Sequence, residues 1–456
     1  MDKRLIFNAF AMNSVSHVYH GLWRHPDFRQ IGFNELGNWL DLARLLEWGR
    51  FDALFLANVL GLDPAYKGSV DTYVHEGLHF PTSDPGVLAA ALVGATEHLG
   101  LAFTSSILQE HPFNFARKVT TLDHLSRGRV AWNIVTSVGD AAARNFGLDR
   151  AVPHDERYAW AEEYVEVLYK LWEGSWEDGA VLADRAAGIY ADPARIHRIG
   201  HAGRRYRVQG PHQTSPSPQR TPVLIQAGSS RAGRAFAARN AEATFIVSLT
   251  PEAAAVAVAD IRQQLRANGR RDDDFLFIQG LSFVVGSTEE EAWRKSRAID
   301  EYVSTDGLAA HVSRDLGIDF GTLDPDRPIE EYQIEGLQGF VRFYEEAYPG
   351  RKATAATLAH AMSYNGRIVG TPEQIADQLE RWQAAGIDGV NVAYQTMPGS
   401  FVEFIEHVIP VLQARGLAQR DYAPGTLREK LFAGRPAILN DRHPAARWRG
   451  AFGRAA

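Results

Sequence analysis

Short apolar runs alternate with longer amphipathic stretches along most of this 456-residue chain. The runs are apolar at nearly every position, which is typical of parallel strands buried on both faces, and the stretches between them have helical periodicity. Eight strands are predicted: Leu5–Phe10, Ala53–Ala57, Leu99–Ser106, Arg129–Thr136, Val223–Gly228, Ala243–Ser248, Phe275–Gly286 and Gly389–Tyr394. Eight parallel strands separated by helices favour a (β/α)8 TIM barrel, an α/β fold. Periodicity leaves an open, doubly wound parallel sheet as the alternative.

Two long segments and the C-terminal tail interrupt this rhythm. We expect one domain over residues 1–456, with insertions at about 174–220 and 306–365 and a tail from about residue 415. Connections this long usually have a function such as covering an active site, so we expect both insertions over the C-terminal mouth of the barrel. Decoration or an oligomer contact would explain them equally well. The charged tail is expected to wrap the surface or a neighbouring subunit.

Charge and composition exclude several classes of function. The formal net charge is −7, so no overall positive field attracts nucleic acid or anionic membrane surfaces. No apolar stretch approaches the roughly 20 residues that span a bilayer, and no signal peptide is expected. The chain has no cysteine, which excludes disulfides, thiolate nucleophiles and cysteine-ligated metals within it. We expect a cytoplasmic enzyme.

The common sequence motifs of nucleotide and serine chemistry are missing. No G-x-G occurs in the chain, and neither a phosphate-binding G-x-x-x-x-G-K-S loop nor a G-x-S-x-G elbow is present. The sixteen histidines include pairs with possible ligand spacing, at His17/His20, His75/His79 and His197/His201. No H-x-H or H-E-x-x-H accompanies them, so we expect no metal site.

Polar residues follow the fourth predicted strand and begin the next long helix. Asn133, Thr136 and Ser137 close the strand, where a barrel presents side chains at its mouth. His154 and Tyr158 lie one turn apart on one face of the helix N-terminus, where free N–H groups favour an anion. Ordinary strand termination and an ordinary helix start are the alternatives.

A strand-to-helix turn follows the fifth predicted strand. Gly228 leads into Ser229, Ser230 and a new helix, so backbone N–H groups and two hydroxyls could hold a phosphate there. An N-cap by Ser229 is the simpler alternative. Taken together, these groups indicate a phosphorylated cofactor across the barrel mouth.

Several long motifs resemble one enzyme family over essentially the whole chain. They are ATEHLGL (95–101), ARKVTTLDHLSRGRVAWNIVTS (116–137), ARNFG (143–147), HDERY (154–158), KLWEGSWEDGAV (170–181) and PVLIQAGSS (222–230). They resemble the bacterial-luciferase-like flavin monooxygenases, in the branch of nitrilotriacetate and dibenzothiophene sulfone monooxygenases. The stretches 12–26 and 427–449 are most similar to its long-chain alkane and dimethyl sulfide monooxygenase subgroup.

The resemblance implies a TIM barrel that uses reduced FMN and O2, with the reduced flavin supplied by a separate NAD(P)H-dependent flavin reductase. The flavin contacts that it implies are Asn58, Thr104, Ser137, His154, Tyr158, Ala227, Gly228, Ser229 and Ser230. Asn58 departs from the family pattern, which usually has Asp there. We expect a monooxygenase of a small apolar, organosulfur or aromatic compound, in a homodimer or homotetramer. A riboflavin lyase, a flavin-binding protein without catalysis and a metal-dependent barrel hydrolase are the alternatives.

An apolar mouth near the cofactor would keep water from the reaction. Candidates for the substrate pocket are Phe10, His17, Glu110 and His111, together with Gln109. The polar ones among them have side chains that can transfer protons. None of them is assigned as catalytic.

Overall fold

The computed structural model describes residues 4–137, 139–228, 230–332, 341, 344–345, 350–364 and 366–453, with side chains of 360–364 left aside. Its strands are β1 (Ile6–Met12), β2 (Ala53–Ala57), β3 (Gly100–Ser106), β4 (Val130–Val135), β5 (Val181–Asp184), β6 (Ile189–Ala191), β7 (His201–Ala202), β8 (Arg207–Val208), β9 (Val223–Gln226), β10 (Ala243–Ile246), β11 (Leu276–Val285), β12 (Arg367–Gly370) and β13 (Gly389–Ala393).

The α-helices are α1 (Leu36–Trp48), α2 (Asp71–His75), α3 (Pro85–Leu92), α4 (Pro112–Leu125), α5 (Asp140–Asn145), α6 (His154–Tyr169), α7 (Arg231–Asn240), α8 (Pro251–Ala267), α9 (Glu289–Asp300), α10 (Thr305–Leu316), α11 (Ala355–Tyr364), α12 (Pro372–Ala384), α13 (Gly399–Glu403), α14 (Ile409–Ala414) and α15 (Leu427–Leu431). Short π-helices at Lys170–Gly174 and Phe404–Val408 continue α6 and join α13 to α14. None of these described helices has the length and apolar character needed to cross a membrane.

Eight parallel strands close into a barrel. Neighbours follow the order β1, β2, β3, β4, β9, β10, β11, β13, and β13 pairs again with β1. This confirms the eight predicted strands, with ends shifted by a few residues, and excludes the open sheet. The short strand β12, which was not predicted, pairs with the last residues of β11 outside the ring.

The side chains inside the barrel form a closed layer at its N-terminal end. The cluster contains Ile6, Phe55, Ala102, Ala131, Val223, Ile225, Ala243, Leu276 and Ile278. Leu427 and Phe432 from the tail join it, and both are buried. The tail was expected to wrap the surface or a neighbouring subunit, but its helix α15 closes the base of the barrel as a plug. A buried ion pair between Arg428 and Glu242, with Nε–Oε1 at 2.7 Å, fixes this plug.

The first insertion lies along the outside of the barrel. It begins after α6 and ends at β9, so both of its ends are at the N-terminal end of the barrel. Its backbone N–H groups at Arg205 and Tyr206 donate to Glu163 of α6, and the Tyr206 ring lies 5.4 Å from that of His111 at the start of α4. The segment therefore extends along α4 and α6 toward the rim, but, contrary to expectation, it does not cover the mouth, since none of its residues lines the cavity described below.

The second insertion does reach the mouth. Helices α10 and α11 pack against the segment between β2 and α3 and form a separate hydrophobic cluster with it, which includes Tyr66, Tyr73, Leu308 and Leu358. Tyr73 donates its hydroxyl proton to the carbonyl oxygen of Ala310 at 2.9 Å. This cluster holds α10 above the carboxyl ends of the first strands.

Candidate functional site

A cavity of about 480 Å³ opens at the carboxyl ends of β2, β3, β4 and β9. Its size lies within the range of roughly 300–1,000 Å³ that is usual for small-molecule sites. Strand ends and strand-to-helix loops supply most of the lining, and α6 and α10 complete it. The residues that line it are Asn58–Gly61, Asp63, Thr104, Ser106, Gln109, Ile134–Ser137, Gly139, Ala142, Tyr158, Gln226, Ala227, Arg314 and Asp315.

Five of the predicted cofactor contacts lie in this lining: Asn58, Thr104, Ser137, Tyr158 and Ala227. They come from four different strand ends and one helix, so the barrel brings together residues that are far apart in the sequence. Gln109, a candidate for the substrate pocket, also lines the cavity.

Small polar side chains rigidify the wall formed by β3 and β4. Ser137 has a positive φ of 55°, and its hydroxyl donates to Ser106 Oγ at 2.7 Å. Gln109 Oε1 accepts the backbone N–H of Ser106 at 2.7 Å. Asn133 Nδ2 donates to Thr104 Oγ1 at 3.0 Å, one layer below. The wall therefore presents hydroxyl and amide groups at fixed positions.

One corner of the cavity lies at the N-terminus of α7. Ser230 caps this helix, since its Oγ accepts the N–H of Gly233 at 3.0 Å. His154 Nε2 lies 3.0 Å from the same Oγ, and His154 Nδ1 lies 2.8 Å from a carboxylate oxygen of Asp155. Because a carboxylate only accepts, Nδ1 carries a proton, and Nε2 is the nitrogen that forms the hydrogen bond with the Ser230 hydroxyl.

Backbone is tightly packed beside this corner. A Cβ added to Gly228 would lie 2.4 Å from Gln226 Nε2 and 2.9 Å from both the Gly233 Cα and the Tyr158 hydroxyl. Only glycine fits there. The free N–H groups at the start of α7, the Ser230 hydroxyl and the Tyr158 hydroxyl together suit a phosphate. The predicted contact Ser229 lies outside the described residues.

The side of the cavity formed by α10 carries an ion pair that was not predicted. Arg314 Nε and Nη2 donate to Asp315 Oδ1 at 2.9 and 2.7 Å. Burial alone would raise the pKa of Asp315, but the charges of Arg314 and His311 outweigh it and hold that pKa far below its usual value. The carboxylate is therefore charged. Arg314 and Asp315 lie on a helix within an insertion, so no strand end in the sequence indicates that they reach the cavity.

Three histidines meet behind this ion pair. His20, His79 and His311 each place one ring nitrogen within 4.8 Å of the others. Burial lowers the pKa values of His20 and His79 well below their usual value, so both rings are neutral. Two of these histidines belong to the pairs noticed in the sequence, but each ring's neighbours come from other segments.

Phe10 and His17 lie together below the loop that follows β1. Their ring centroids are 4.3 Å apart, and Phe10 also contacts Phe55 on the neighbouring strand β2 and Phe245 on β10. Burial lowers the pKa of His17 to about 3. This aromatic layer lies next to the mouth, although neither residue is part of the cavity lining given above.

The structure does not bring Glu110 and His111 into the cavity. The Glu110 carboxylate is paired with Lys118 and accepts a hydrogen bond from Asn114 at 2.6 Å. His111 Nδ1 accepts the N–H of Phe113 at 3.3 Å, which caps α4. Both side chains stabilise the start of α4, and neither lines the cavity.

Comparison with known proteins gives consistent matches. A family model described as luciferase-like monooxygenase matches residues 12–389. A dimethyl-sulfide monooxygenase from Hyphomicrobium sulfonivorans is 41% identical over 456 residues, which cover 99% of this chain and 95% of that protein. A long-chain alkane monooxygenase from Geobacillus thermodenitrificans (strain NG80-2) is 43% identical over 454 residues, with 98% and 99% covered. A crystal structure of a riboflavin lyase with modified FMN and riboflavin superposes with a TM-score of 0.89 at 38% identity, covering 98% of this chain and 100% of that one.

Proposed function

This chain belongs to the luciferase-like monooxygenase family and is a flavin-dependent monooxygenase, and from this we propose that it uses reduced FMN and O2 to oxidise a small apolar or organosulfur compound. The observation that carries the choice of FMN is the corner at α7. A phosphate seat there would distinguish FMN from riboflavin, because only FMN has a terminal phosphate.

The residues at the cavity fit a flavin nucleotide. Ser230, Tyr158 and His154 would hold the phosphate beside the N-terminus of α7, where the helix dipole favours negative charge. Asn58, Thr104, Ser137 and the backbone at Ala227 would line the ring system. Bound reduced FMN supplies the electrons that activate O2, while the protein positions it and limits access of water.

The substrate class rests on the aromatic layer and on the relatives. Phe10, Phe55 and Phe245 give the barrel beneath the mouth an apolar surface. The two relatives are a dimethyl-sulfide and a long-chain alkane monooxygenase, whose named substrates are apolar. We therefore favour alkyl sulfides and alkanes, followed by aromatic compounds.

A separate flavin reductase is the partner that this chemistry needs. The chain has no G-x-G dinucleotide motif, so we assign NAD(P)H oxidation to another protein. A homodimer or homotetramer in the cytoplasm remains part of the proposal.

Oxygen consumption tests the proposed function directly. The purified chain would be supplied with FMN and an unrelated flavin reductase, and oxygen uptake and peroxide would be measured with alkyl sulfides, alkanes and haloaromatics. The expected result is oxygenated product with a reduced peroxide yield for at least one compound. Tyr158→Phe should weaken FMN binding, whereas Tyr190→Phe, on an exposed hairpin, should not. If no compound raises uptake above the peroxide background, the monooxygenase assignment is contradicted.

A riboflavin lyase is the second candidate, favoured by the 38% identity to the riboflavin lyase structure. In that case riboflavin would be the substrate and would be degraded in the presence of reduced FMN and O2. Chromatography of the reaction for lumichrome separates the two functions. Lumichrome formation at a rate above that of every sulfide or alkane would replace the proposed substrate class.

A further inference from the structure

The cluster of His20, His79 and His311 joins three separate segments of the chain. His20 lies in the loop after β1, His79 between α2 and α3, and His311 on α10. One nitrogen of each ring lies within 4.8 Å of the others. His20 and His79 are buried and His311 is half-buried, so little water competes for these nitrogens. The hydrogen bonds around the cluster decide which nitrogens carry protons.

Hydrogen bonds to groups outside the cluster engage one nitrogen of His79 and one of His311. His79 Nε2 lies 2.6 Å from the carbonyl oxygen of His17, which only accepts, so Nε2 carries the proton of this neutral ring and Nδ1 accepts a hydrogen bond from Arg314. His311 Nε2 lies 3.2 Å from Asp315 Oδ2. This nitrogen donates to the carboxylate, and Nδ1 is the nitrogen that faces His20.

The tautomer of His20 follows from its neighbour Ser16, because a serine hydroxyl has a single proton. The Ser16 hydroxyl donates to the carbonyl oxygen of Gly77 at 2.6 Å. His20 Nδ1, 3.2 Å from Ser16 Oγ, must therefore donate to it, which leaves the lone pair on Nε2. That nitrogen lies 2.8 Å from His311 Nδ1. A contact this short requires a proton or a metal cation between the two nitrogens.

We propose that His20 Nε2, His79 Nδ1 and His311 Nδ1 form a binding site for a divalent transition metal ion such as Zn²⁺. Zn–N bonds of about 2.0–2.1 Å place the nitrogens of a tetrahedral site about 3.3 Å apart. This separation lies between the 2.8 Å contact and the 4.8 Å limit of the cluster, so small ring movements suffice.

The outer contacts match those of metal-bound histidines elsewhere. Such rings usually donate their second N–H to a carboxylate or a carbonyl, which fixes the tautomer and orients the ring. Here the second N–H of His311 donates to Asp315, that of His79 to the carbonyl oxygen of His17, and that of His20 to Ser16. Three protein ligands leave a fourth position for water or another small ligand.

Arg314 is the group that opposes the ion. Its Nη1 donates to His79 Nδ1 at 2.6 Å, so metal binding must displace this hydrogen bond. The guanidinium keeps its two hydrogen bonds to Asp315, which also balances its charge. The competition limits affinity. It also means that removing the guanidinium should tighten metal binding.

An ion at this position would tie α10 to the loops after β1 and β2 beside the cavity. A ligand that binds only the folded chain stabilises it by RT ln(1 + L/Kd), where L is the free ligand concentration. The site would therefore raise the melting temperature as well as order the mouth.

Cobalt binding tests the proposal without turnover or flavin. The full chain, free of any histidine tag and dialysed against a chelator, would be titrated with Co²⁺ and Zn²⁺. The expected result is one Co²⁺ per chain with the visible absorption of a low-symmetry nitrogen site, displacement by Zn²⁺ and a higher melting temperature.

Three variants complete the test. His79→Gln keeps a donor to the carbonyl of His17 but should weaken Co²⁺ binding at least tenfold. His75→Gln, an exposed histidine of the preceding helix, should bind like the parent. Arg314→Met should bind more tightly than the parent. Absence of saturable Co²⁺ binding up to millimolar concentration, or equal binding by His79→Gln and the parent, overturns the metal site and leaves a proton between His20 and His311.

Discussion

Replacing Ser230 with aspartate would add a negative charge at the proposed phosphate seat without removing the helix cap. Aspartate is as good an N-cap as serine, so the bond from the Gly233 N–H is expected to persist. FMN carries a phosphate of charge about −1.5 to −2 at pH 7, and riboflavin carries none. The variant therefore separates electrostatic effects on the phosphate from effects on the ring system.

The size of the effect follows from Coulomb's law. At a separation of about 4 Å, two unit charges repel by roughly 1 kcal/mol in water and roughly 4 kcal/mol at an effective dielectric constant of 20. Ser230 is half-buried and His154 beside it is partly exposed, so the value lies between these limits. For one negative charge on the phosphate this corresponds to FMN binding about 5-fold to 1,000-fold weaker, and the full phosphate charge makes the loss larger. Riboflavin binding should change less than about twofold.

Flavin fluorescence quenching measures both affinities. Thr371→Asp is the matched control, because Thr371 caps α12 in the same way, its Oγ1 accepting the N–H of Gln374 at 3.3 Å, and α12 follows a strand outside the barrel. The loss at Ser230→Asp should shrink in high salt, since screening weakens the repulsion. Equal losses for FMN and riboflavin, or none for FMN, would refute a phosphate at this corner.

Three further changes test other parts of the site. Asn58→Asp adds a carboxylate to a cavity that already contains Asp63 and Asp315. Reduced-FMN affinity should fall by roughly 1–3 kcal/mol, or the product-to-peroxide ratio should fall. If both stay unchanged, Asn58 has no special role. Gly228→Ala should lose about 1–3 kcal/mol of stability and weaken flavin binding, whereas Gly37→Ala, with open space around it, should not; equal melting temperatures would contradict this. Burial lowers the pKa of His17 to about 3, so the unfolded chain binds a proton that the folded chain does not, and the free energy of unfolding should fall as pH drops below about 6.5, by up to about 1.4 kcal/mol per pH unit for this ring. Denaturation midpoints at pH 7, 6 and 5 measure this, and His17→Gln should reduce the slope.

The barrel could be predicted because its strands are buried on both faces. A strand such as β3, with all seven residues buried, leaves a continuous apolar run in the sequence. The position of the first insertion also had a signal that the prediction overlooked. It follows a helix and precedes a strand, and in a barrel both ends of such a connection lie at the N-terminal end, opposite the mouth.

The plug at the base could not be predicted in the same way. Leu427 and Phe432 are isolated apolar residues in a charged segment, and their partners inside the barrel are hundreds of positions away in the sequence. Hydrophobic periodicity reveals a helix or strand that buries one face along its length. The five-residue helix α15 is too short to have such a periodic pattern.

The histidine cluster explains why spacing misleads at this mouth. A pair such as His75 and His79 suggests two ligands on one helix, but His75 is exposed and only His79 is buried, since the helix ends between them. The nitrogens that meet belong to two loops and to helix α10, and each of these segments contributes one ring. The tautomer of His20 follows from Ser16, whose single proton is donated to the carbonyl of Gly77. The spacing of histidines in the sequence can argue against a metal site only when all ligands belong to one helix or strand. In a barrel the connections after different strands meet at the same mouth, so ligands far apart in the sequence can come together there.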